Sequence, residues 1–313
     1  MKNLKKIKGD ASFRKFFRKK KNNLNSIIVF AKKEKYKNLM IYDAINKILN
    51  KNSILAPALY SENYKKNYIE IQDFGNKTIY KILKKSKKKF FYFKKIIDIL
   101  KNIQSIKDRT IITFKNKRYK IPQYNNRIII KEANLFCDWY VKKNLSKNKR
   151  KKFYKRFKNV LEELITKLKS KNNVFVHRDF HVSNLMLIEK RIGIIDSQDA
   201  VIGNKAYDLA SLIDDVRFKT SKKLKERIFS YYTRKYSKLE KKNLKNDLEI
   251  LSVLRNLKII GIFTRLAMRD GKRNYLRLIP YAWKLIDTRI KENNVFSNLR
   301  DLLNQNFKKK NEN

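Results

Sequence analysis

The sequence predicts an α+β fold in two lobes, a small β-rich lobe at the N-terminus and a larger, mainly helical lobe after it. Three observations carry this expectation. At 313 residues the chain exceeds the usual single core and falls short of three domains. Strand-like runs crowd residues 1–75, whereas helical periodicity dominates residues 76–313. Hydrophobic residues make up 42% and aromatics 12%, enough to build a core in spite of 34% charged residues.

Residues 9–31 read as two strands joined by a polar turn: an aromatic and basic run, then Lys21-Asn22-Asn23, then the β-branched Ile27-Ile28-Val29. From Lys35 to Asn50 the apolar positions Leu39, Met40, Ala44, Ile48 and Leu49 recur at helical spacing, with Pro57 beyond the end. Two short strands follow, Ala58 to Tyr60 and Tyr68 to Ile71, completing a β-β-α-β-β unit smaller than a typical domain. The polar, glycine-containing stretch Gln72-Asp73-Phe74-Gly75-Asn76 reads as the connection between lobes. Beyond it, helices are expected over Thr78 to Leu83, Phe90 to Ile106, Asn134 to Val141 and Lys151 to Leu168, with an irregular insertion from Asp108 to Tyr124. Strands return only at Val174 to Val176, Leu185 to Ile188 and Ile192 to Ile195. Helices then run through Lys223 to Tyr236, Leu248 to Met268 and Asn274 to Lys291, before a solvated tail.

The formal charge is +51, from 79 Lys and Arg against 28 Asp and Glu. The lysines are spread through every segment rather than gathered beside a nucleic-acid module. Zinc-ligand spacing, an RNP-like run and a KH-type loop are all missing, so no specific nucleic-acid partner is expected. The field still favours anionic substrates over polycations. Cys137 stands alone, which rules out an internal disulfide and reads as a small buried apolar residue in a reducing compartment. The first apolar run, Ser26 to Ala31, is too short and too late for a secretory signal. No stretch approaches the roughly 20 apolar residues that span a bilayer, so a cytoplasmic protein without a membrane partner is expected. Nothing in the sequence speaks to oligomeric state.

The chemistry concentrates in residues 174–200, VFVHRDFHVSNLMLIEKRIGIIDSQDA. Both histidines of the chain, His177 and His181, fall inside it. An apolar strand ends at His177, a loop presents Asp179, and Asn184 precedes a hairpin that turns at Glu189-Lys190-Arg191 and returns to Asp196, bringing Asn184 and Asp196 side by side at its open end. Phosphoryl transfer needs a carboxylate to receive the hydroxyl proton and hard oxygen ligands to fix Mg²⁺ on the phosphates. Asp179 suits the first task, and Asn184 with Asp196 the second. His-Arg-Asp, four residues, Asn, a hairpin and Ile-Asp is also the order of the protein-kinase catalytic loop and metal aspartate. A zinc site would need a third ligand at a clear spacing, which the sequence lacks. His177 reads as a brace for the loop rather than a proton carrier.

At these residues the chain resembles the aminoglycoside phosphotransferase and choline kinase superfamily, which implies a bilobal protein-kinase-like fold and an ATP- and Mg²⁺-dependent kinase for a small hydroxyl-bearing acceptor. HRDFHVSN looks like that family's His-Gly-Asp-x-x-x-x-Asn loop, with Arg178 where glycine is common, and IIDSQDA like its Ile-Asp metal motif. GNKAYDLASL resembles its Gly-Asp-Pro-x-Tyr-Asp-Leu-Ala segment, which implies that Asp208 braces the catalytic loop. GDASFRKFFR resembles the phosphate-covering turn, implying Ser12, Phe13 and Arg14 near the phosphates. EIQDFGNKT resembles the segment that receives adenine, implying Gln72 and Phe74 there.

GDASFRKFFR, HRDFHVSNLM and IIDSQDAVIGNKAYDLASLIDD together are similar to the anomeric kinases that phosphorylate N-acetylmuramic acid and N-acetylglucosamine in bacterial cell-wall recycling. Other acceptors of the superfamily, such as aminoglycosides, choline or homoserine, stand as alternatives, as does a non-catalytic basic nucleic-acid binder. A protein kinase is disfavoured, because Asp196 and the Tyr207-Asp208 segment lie too close for an activation loop and no Ala-Pro-Glu occurs there. Two departures from the family stand out. The strand Ile27 to Phe30 carries no ATP-pairing lysine, leaving Arg14, Lys32 and Lys33 as candidates. Ser197 stands where an aromatic often packs beneath the metal aspartate, implying a looser seat for Asp196.

Overall fold

The computed structural model describes residues 4–7, 14–21, 24–31 and 38–307. The chain forms two compact units, Met1–Pro122 with Val174–Ile202, and Gln123–Asn173 with Gly203–Asn313. The expected lobe boundary after residue 75 falls inside the first of them.

The first unit opens on an antiparallel sheet of β1 (Leu4–Ile7), β2 (Lys15–Lys21), β3 (Leu24–Phe30), β4 (Leu59–Asn63) and β5 (Tyr68–Gln72), in the order β1-β2-β3-β5-β4. The expected hairpin is β2–β3, in which Phe16 faces Val29 and Arg18 faces Ile27. β1 is an addition to the expectation, a four-residue strand on the far side of β2. Alternation along β3 and β5 sends Ile27, Val29, Ile69 and Ile71 to one face, where Leu39 and Tyr42 of helix α1 (Asn38–Lys51) join them in a buried cluster. Helices α2 (Ile79–Lys85) and α3 (Lys89–Ser105) follow, α2 capped by the Thr78 hydroxyl.

The stretch from Asp108 to Tyr124 is not irregular throughout. It carries the hairpin β6 (Thr110–Ile112) and β7 (Arg118–Lys120), whose strands are too short for alternation to show in the sequence. β8 (Asn172–Val176) leads to the loop of His177 and Asp179. After it come β9 (Leu185–Ile188) and β10 (Arg191–Ile194), which pair through a two-residue turn at Glu189 and Lys190. The strand β11 (Val201–Asn204), absent from the sequence expectation, pairs with β8.

The second unit is helical. Helix α4 (Asn126–Ala133), unanticipated, begins at Asn125, whose side chain accepts from the Ile128 N–H. The helix expected over Asn134 to Val141 is a π-helical turn at Phe136–Val141 that runs into the short α5 (Lys142–Asn144). Gly261 lies against that turn. A Cβ there would come within 2.3 Å of the Leu135 backbone, so only glycine permits the approach. Helices α6 (Lys147–Thr166), α7 (Ala206–Ile213), α8 (Lys222–Tyr232), α9 (Lys238–Arg269), α10 (Ile279–Glu292) and α11 (Ser297–Phe307) complete the unit. α9 starts with a full capping box, Ser237 with Glu240. Cys137 is buried, and burial pushes its thiol far above the usual range, in keeping with the inert apolar role expected of it. Among the described residues no helix is long and apolar enough to cross a membrane.

Candidate active site

The candidate residues on the catalytic loop and the β9–β10 hairpin lie in the first unit, and the backbone there explains their grouping. β8 is buried at Phe175 and Val176 and ends on His177, which is fully buried and meets Phe180 edge to face at 6.2 Å. The chain then turns through Arg178 at φ +73°, a left-handed conformation that costs a residue with a side chain about 1–2 kcal/mol. That geometry accounts for the glycine common at this position in the resembling family. Asp179 follows, half-buried.

The loop is closed by its own backbone and by one amide. His181 N–H donates to the Asp179 carbonyl at 3.0 Å, Asn184 N–H to the His181 carbonyl at 2.9 Å, and the Asn184 Nδ2 again to the Asp179 carbonyl at 3.0 Å. Because the amide nitrogen of Asn184 is committed inward, its Oδ1 is the end left to meet a cation. The β9–β10 register sets Leu185 opposite Ile194, and one residue further the Ile195 N–H donates to the Asn184 carbonyl at 3.0 Å. Asn184 and the residue before Asp196 are thus hydrogen-bonded neighbours, as the sequence implied.

Asp196 also sits in the left-handed region, at φ +65°. Its side chain is 35% exposed and its Oδ1 receives the Arg14 Nη2 at 2.6 Å. Arg14 itself is buried, donates through Nη1 to Gln198 Oε1 at 2.8 Å, and lies over the rings of Phe16 and Tyr42 at 5.5 and 5.7 Å. The looser seat implied by Ser197 is not what the structure has. Ser197 is fully buried and donates its hydroxyl to Asn46 Oδ1 of α1 at 2.5 Å, while Asn46 Nδ2 holds the Pro57 carbonyl at 3.0 Å. A hydrogen bond replaces the aromatic packing. Tyr42, beside them, has its phenol pushed up to about 12 by burial, which outweighs the opposing pull of Arg14.

The remaining predicted residues divide. Phe74 is buried, and its ring edge would lie 2.7 Å from a Cβ at Gly193, so the segment after β5 packs directly on β10. Gln72 ends β5 opposite Ser26, with its N–H on the Ala58 carbonyl at 2.9 Å. Asp73 and Gly75 are fastened by Arg18, which makes a bidentate pair with Asp73 and reaches the Gly75 carbonyl at 3.0 Å. Ser12, Phe13, Lys32 and Lys33 lie outside the described residues. Asp208 is fully buried on α7 of the second unit. Sequence reasoning overlooked Gln198, Asn46 and Tyr42. Only Gln198 carried a signal, as part of the IIDSQDA motif; the other two read as ordinary positions on a buried helix face.

Asn184 and Asp196 fit Mg²⁺ that arrives with a nucleotide rather than a resident ion. They offer one carboxylate and one amide oxygen, hard ligands too few to hold the ion alone, so phosphates and water must fill its shell. Consistent with that, no group of three or more His, Cys, Asp or Glu among the described residues forms a metal site.

Comparison with known proteins gives the family of the chain. Residues 3–241 match the family described as the phosphotransferase enzyme family. The N-acetylmuramate/N-acetylglucosamine kinase of Pseudomonas aeruginosa is 25% identical over 300 residues, covering 94% of this chain and 86% of that protein. The protein of the same name from Neisseria meningitidis is 26% identical over 280 residues, covering 87% and 80%. Among solved structures, Plasmodium vivax ethanolamine kinase superposes with a TM-score of 0.63 at 16% identity, covering 91% of this chain and 82% of that one.

Proposed function

Because the chain belongs to the phosphotransferase enzyme family and is a small-molecule kinase, we propose that its acceptor is an amino sugar, N-acetylmuramate or N-acetylglucosamine, phosphorylated at the anomeric hydroxyl. The observation that carries the kinase chemistry is the closed loop in which the Asn184 amide and the Asp179 carbonyl lock together at 3.0 Å, with Asp196 on the adjoining hairpin end. The acceptor follows from the relatives and from charge. A field of formal charge +51 favours N-acetylmuramate, which carries a carboxylate, over polycationic aminoglycosides.

In this reading Asp179 orients the sugar hydroxyl and takes its proton as the new oxygen–phosphorus bond forms and the bond to ADP breaks. Asn184 and Asp196 hold Mg²⁺, which when bound offsets charge on the phosphates of ATP. His177 keeps the loop rigid, and Gln72 and Phe74 receive the adenine. Preorganisation is the main contribution of the protein, since phosphoryl transfer asks for little covalent help. Two backbone positions held at positive φ, Arg178 and Asp196, bracket the loop and fit a site where strain is retained for geometry.

The test is an ATP-consumption screen over N-acetylmuramate, N-acetylglucosamine, choline, homoserine and an aminoglycoside, with the phosphorylated oxygen located by NMR. Turnover with the two amino sugars and phosphate on C1 is expected. Asp179→Ala is expected to lower turnover by about 10³-fold or more while ADP still binds. Choline or homoserine as the preferred acceptor, or full activity of Asp179→Ala, sinks the proposal.

A further inference from the structure

In the protein kinases a lysine on the strand after the phosphate-covering hairpin pairs with the phosphates of ATP and with a glutamate of the following helix. Among the described residues neither partner stands in that place. β3, Leu24–Phe30, contains no lysine, and the face that α1 turns towards Arg14 presents Tyr42 and Asn46 instead of an acid. Asp43 of α1 is committed to Lys47 at 2.8 Å. Lys19 of β2 is held by Glu70 at 3.0 Å, and Arg18 by Asp73. Among the described residues, the cation paired with the candidate metal aspartate is Arg14.

Its surroundings are unusual for a structural ion pair. The guanidinium is buried and built in from three sides by Gln198, Phe16 and Tyr42, whereas Asp196 is 35% exposed. An ion pair with one partner open to water stabilises a fold little, because solvent screens the attraction. Here the anion faces outward, and it is the residue that the proposed chemistry needs for Mg²⁺. The guanidinium takes Asp196 Oδ1 at 2.6 Å, and its positive charge opposes a divalent cation brought to the same carboxylate. Arrival of nucleotide and Mg²⁺ therefore favours an exchange in which Arg14 turns to triphosphate oxygens, the acceptors that suit its planar, forked donors.

We infer that Arg14 takes over the work of the missing strand lysine. In the nucleotide-free chain it is the counter-ion of Asp196; in the loaded enzyme it pairs with the phosphates and releases Asp196 to Mg²⁺. Gln198 and the rings of Phe16 and Tyr42 keep the guanidinium in place through the exchange. The inference rests on the kinase reading above but not on the identity of the acceptor.

The experiment uses the full chain with ADP and Mn²⁺ as probes. ADP affinity is measured by calorimetry in EDTA, and Mn²⁺ affinity by electron paramagnetic resonance without nucleotide. Arg14→Gln is expected to weaken metal-free ADP binding by about tenfold or more, and to tighten nucleotide-free Mn²⁺ binding severalfold because Asp196 loses its counter-ion. Arg14→Lys, which restores the charge without the fork, recovers most of the ADP affinity. Asp196→Asn is expected to tighten metal-free ADP binding severalfold, since no ion pair has to be broken first.

Unchanged ADP affinity in Arg14→Gln, or unchanged or weaker Mn²⁺ binding, overturns the inference. If Arg14→Gln does not fold, the Asp196→Asn arm decides, and ADP binding no tighter than that of the natural chain overturns it. A chain that shows these shifts but phosphorylates no amino sugar refutes the proposed acceptor alone. One that phosphorylates amino sugars while Arg14→Gln binds ADP normally refutes the role of Arg14 alone.

Discussion

Asp196 in the first unit and Asp214 in the second are both aspartates paired with arginine, yet they are built in opposite ways. Asp214 is 1% exposed and takes three partners: Lys225 at 2.5 Å, Arg289 at 3.0 Å and the Ser252 hydroxyl at 2.5 Å. Asp196 shows a third of its side chain to solvent, pairs with Arg14, and occupies a left-handed backbone position. In one pair both charges are enclosed; in the other the cation is buried and the anion looks out. The contrast separates a charge whose surroundings satisfy it from a charge whose surroundings keep it available. Residue type and the presence of an arginine do not distinguish the two, whereas exposure of the carboxylate does.

Exchanging each carboxylate for an amide breaks the comparison if the two variants behave alike. Asp196→Asn keeps a residue that tolerates positive φ but takes the carboxylate from the buried Arg14 guanidinium, and is expected to cost about 1–3 kcal/mol of stability while lowering turnover by roughly 10³-fold. Asp214→Asn is expected to cost about 3–5 kcal/mol, because Lys225 loses its carboxylate and Arg289 keeps only the longer pair with Glu249 at 3.8 Å, and to leave the turnover of the folded fraction near that of the natural chain. Urea titrations and steady-state rates on the same samples decide it. The pH dependence sharpens the point. Burial opposes ionisation of Asp214, but Arg289, Lys225 and Ser252 together hold its carboxyl below the usual range. A group depressed in the folded state contributes stability that is complete above its unfolded value, about 3.9, and is lost as pH falls through the folded one. The stability gap between the natural chain and Asp214→Asn is therefore expected to narrow from pH 5 downward and to be flat from pH 5 to pH 7.

The two regions also differ in how far the sequence foretold them. The loop of Asp179 and Asn184 and the β9–β10 hairpin were legible because they are local. Two short apolar strands on either side of Glu189 and Lys190, together with the spacing of Asp179, Asn184 and Asp196, set their own geometry. The Asp214 network joins residues 214, 225, 252 and 289 on α8, α9, α10 and the end of α7, and nothing in any one segment announces the others. Arg14 was legible as a residue near phosphate, but its pairing with Asp196, 182 positions away, was not. The helical turn at Phe136–Val141 shows the same limit. Its apolar spacing reads as an ordinary helix, and the π geometry goes with the close approach of Gly261, 120 or more residues later. β6 and β7 escaped because three-residue strands carry too little alternation, whereas the Asn125 cap of α4 was a readable signal that went unused.

Gly193→Ala tests whether the stretch after β5 and the hairpin work as one piece. A Cβ at this position would meet Ile188 Cδ1 at 2.6 Å and the Phe74 ring at 2.7 Å, so both side chains must shift. The substitution is expected to cost about 1–3 kcal/mol as an overpacked core does. Because the proposed function assigns Phe74 to the adenine, the KM for ATP is expected to rise more than the turnover number falls. A loss of stability with an unchanged KM for ATP separates Phe74 from the nucleotide.

The smallest expected effect is at Tyr42. Its ring lies beneath the Arg14 guanidinium, and its hydroxyl is buried on the α1 face that also carries Asn46. Tyr42→Phe keeps the ring beneath the guanidinium and removes only the hydroxyl. A loss of about 1 kcal/mol is expected, with turnover lowered severalfold at most, since Ser197 still holds Asn46 and Arg14 still holds Asp196. If turnover falls as far as in Asp196→Asn, the seat of the aspartate depends on α1 more than on its own hairpin, and the exposed pair is as rigidly determined as the buried one. If neither stability nor turnover moves, the hairpin alone sets the backbone of Asp196.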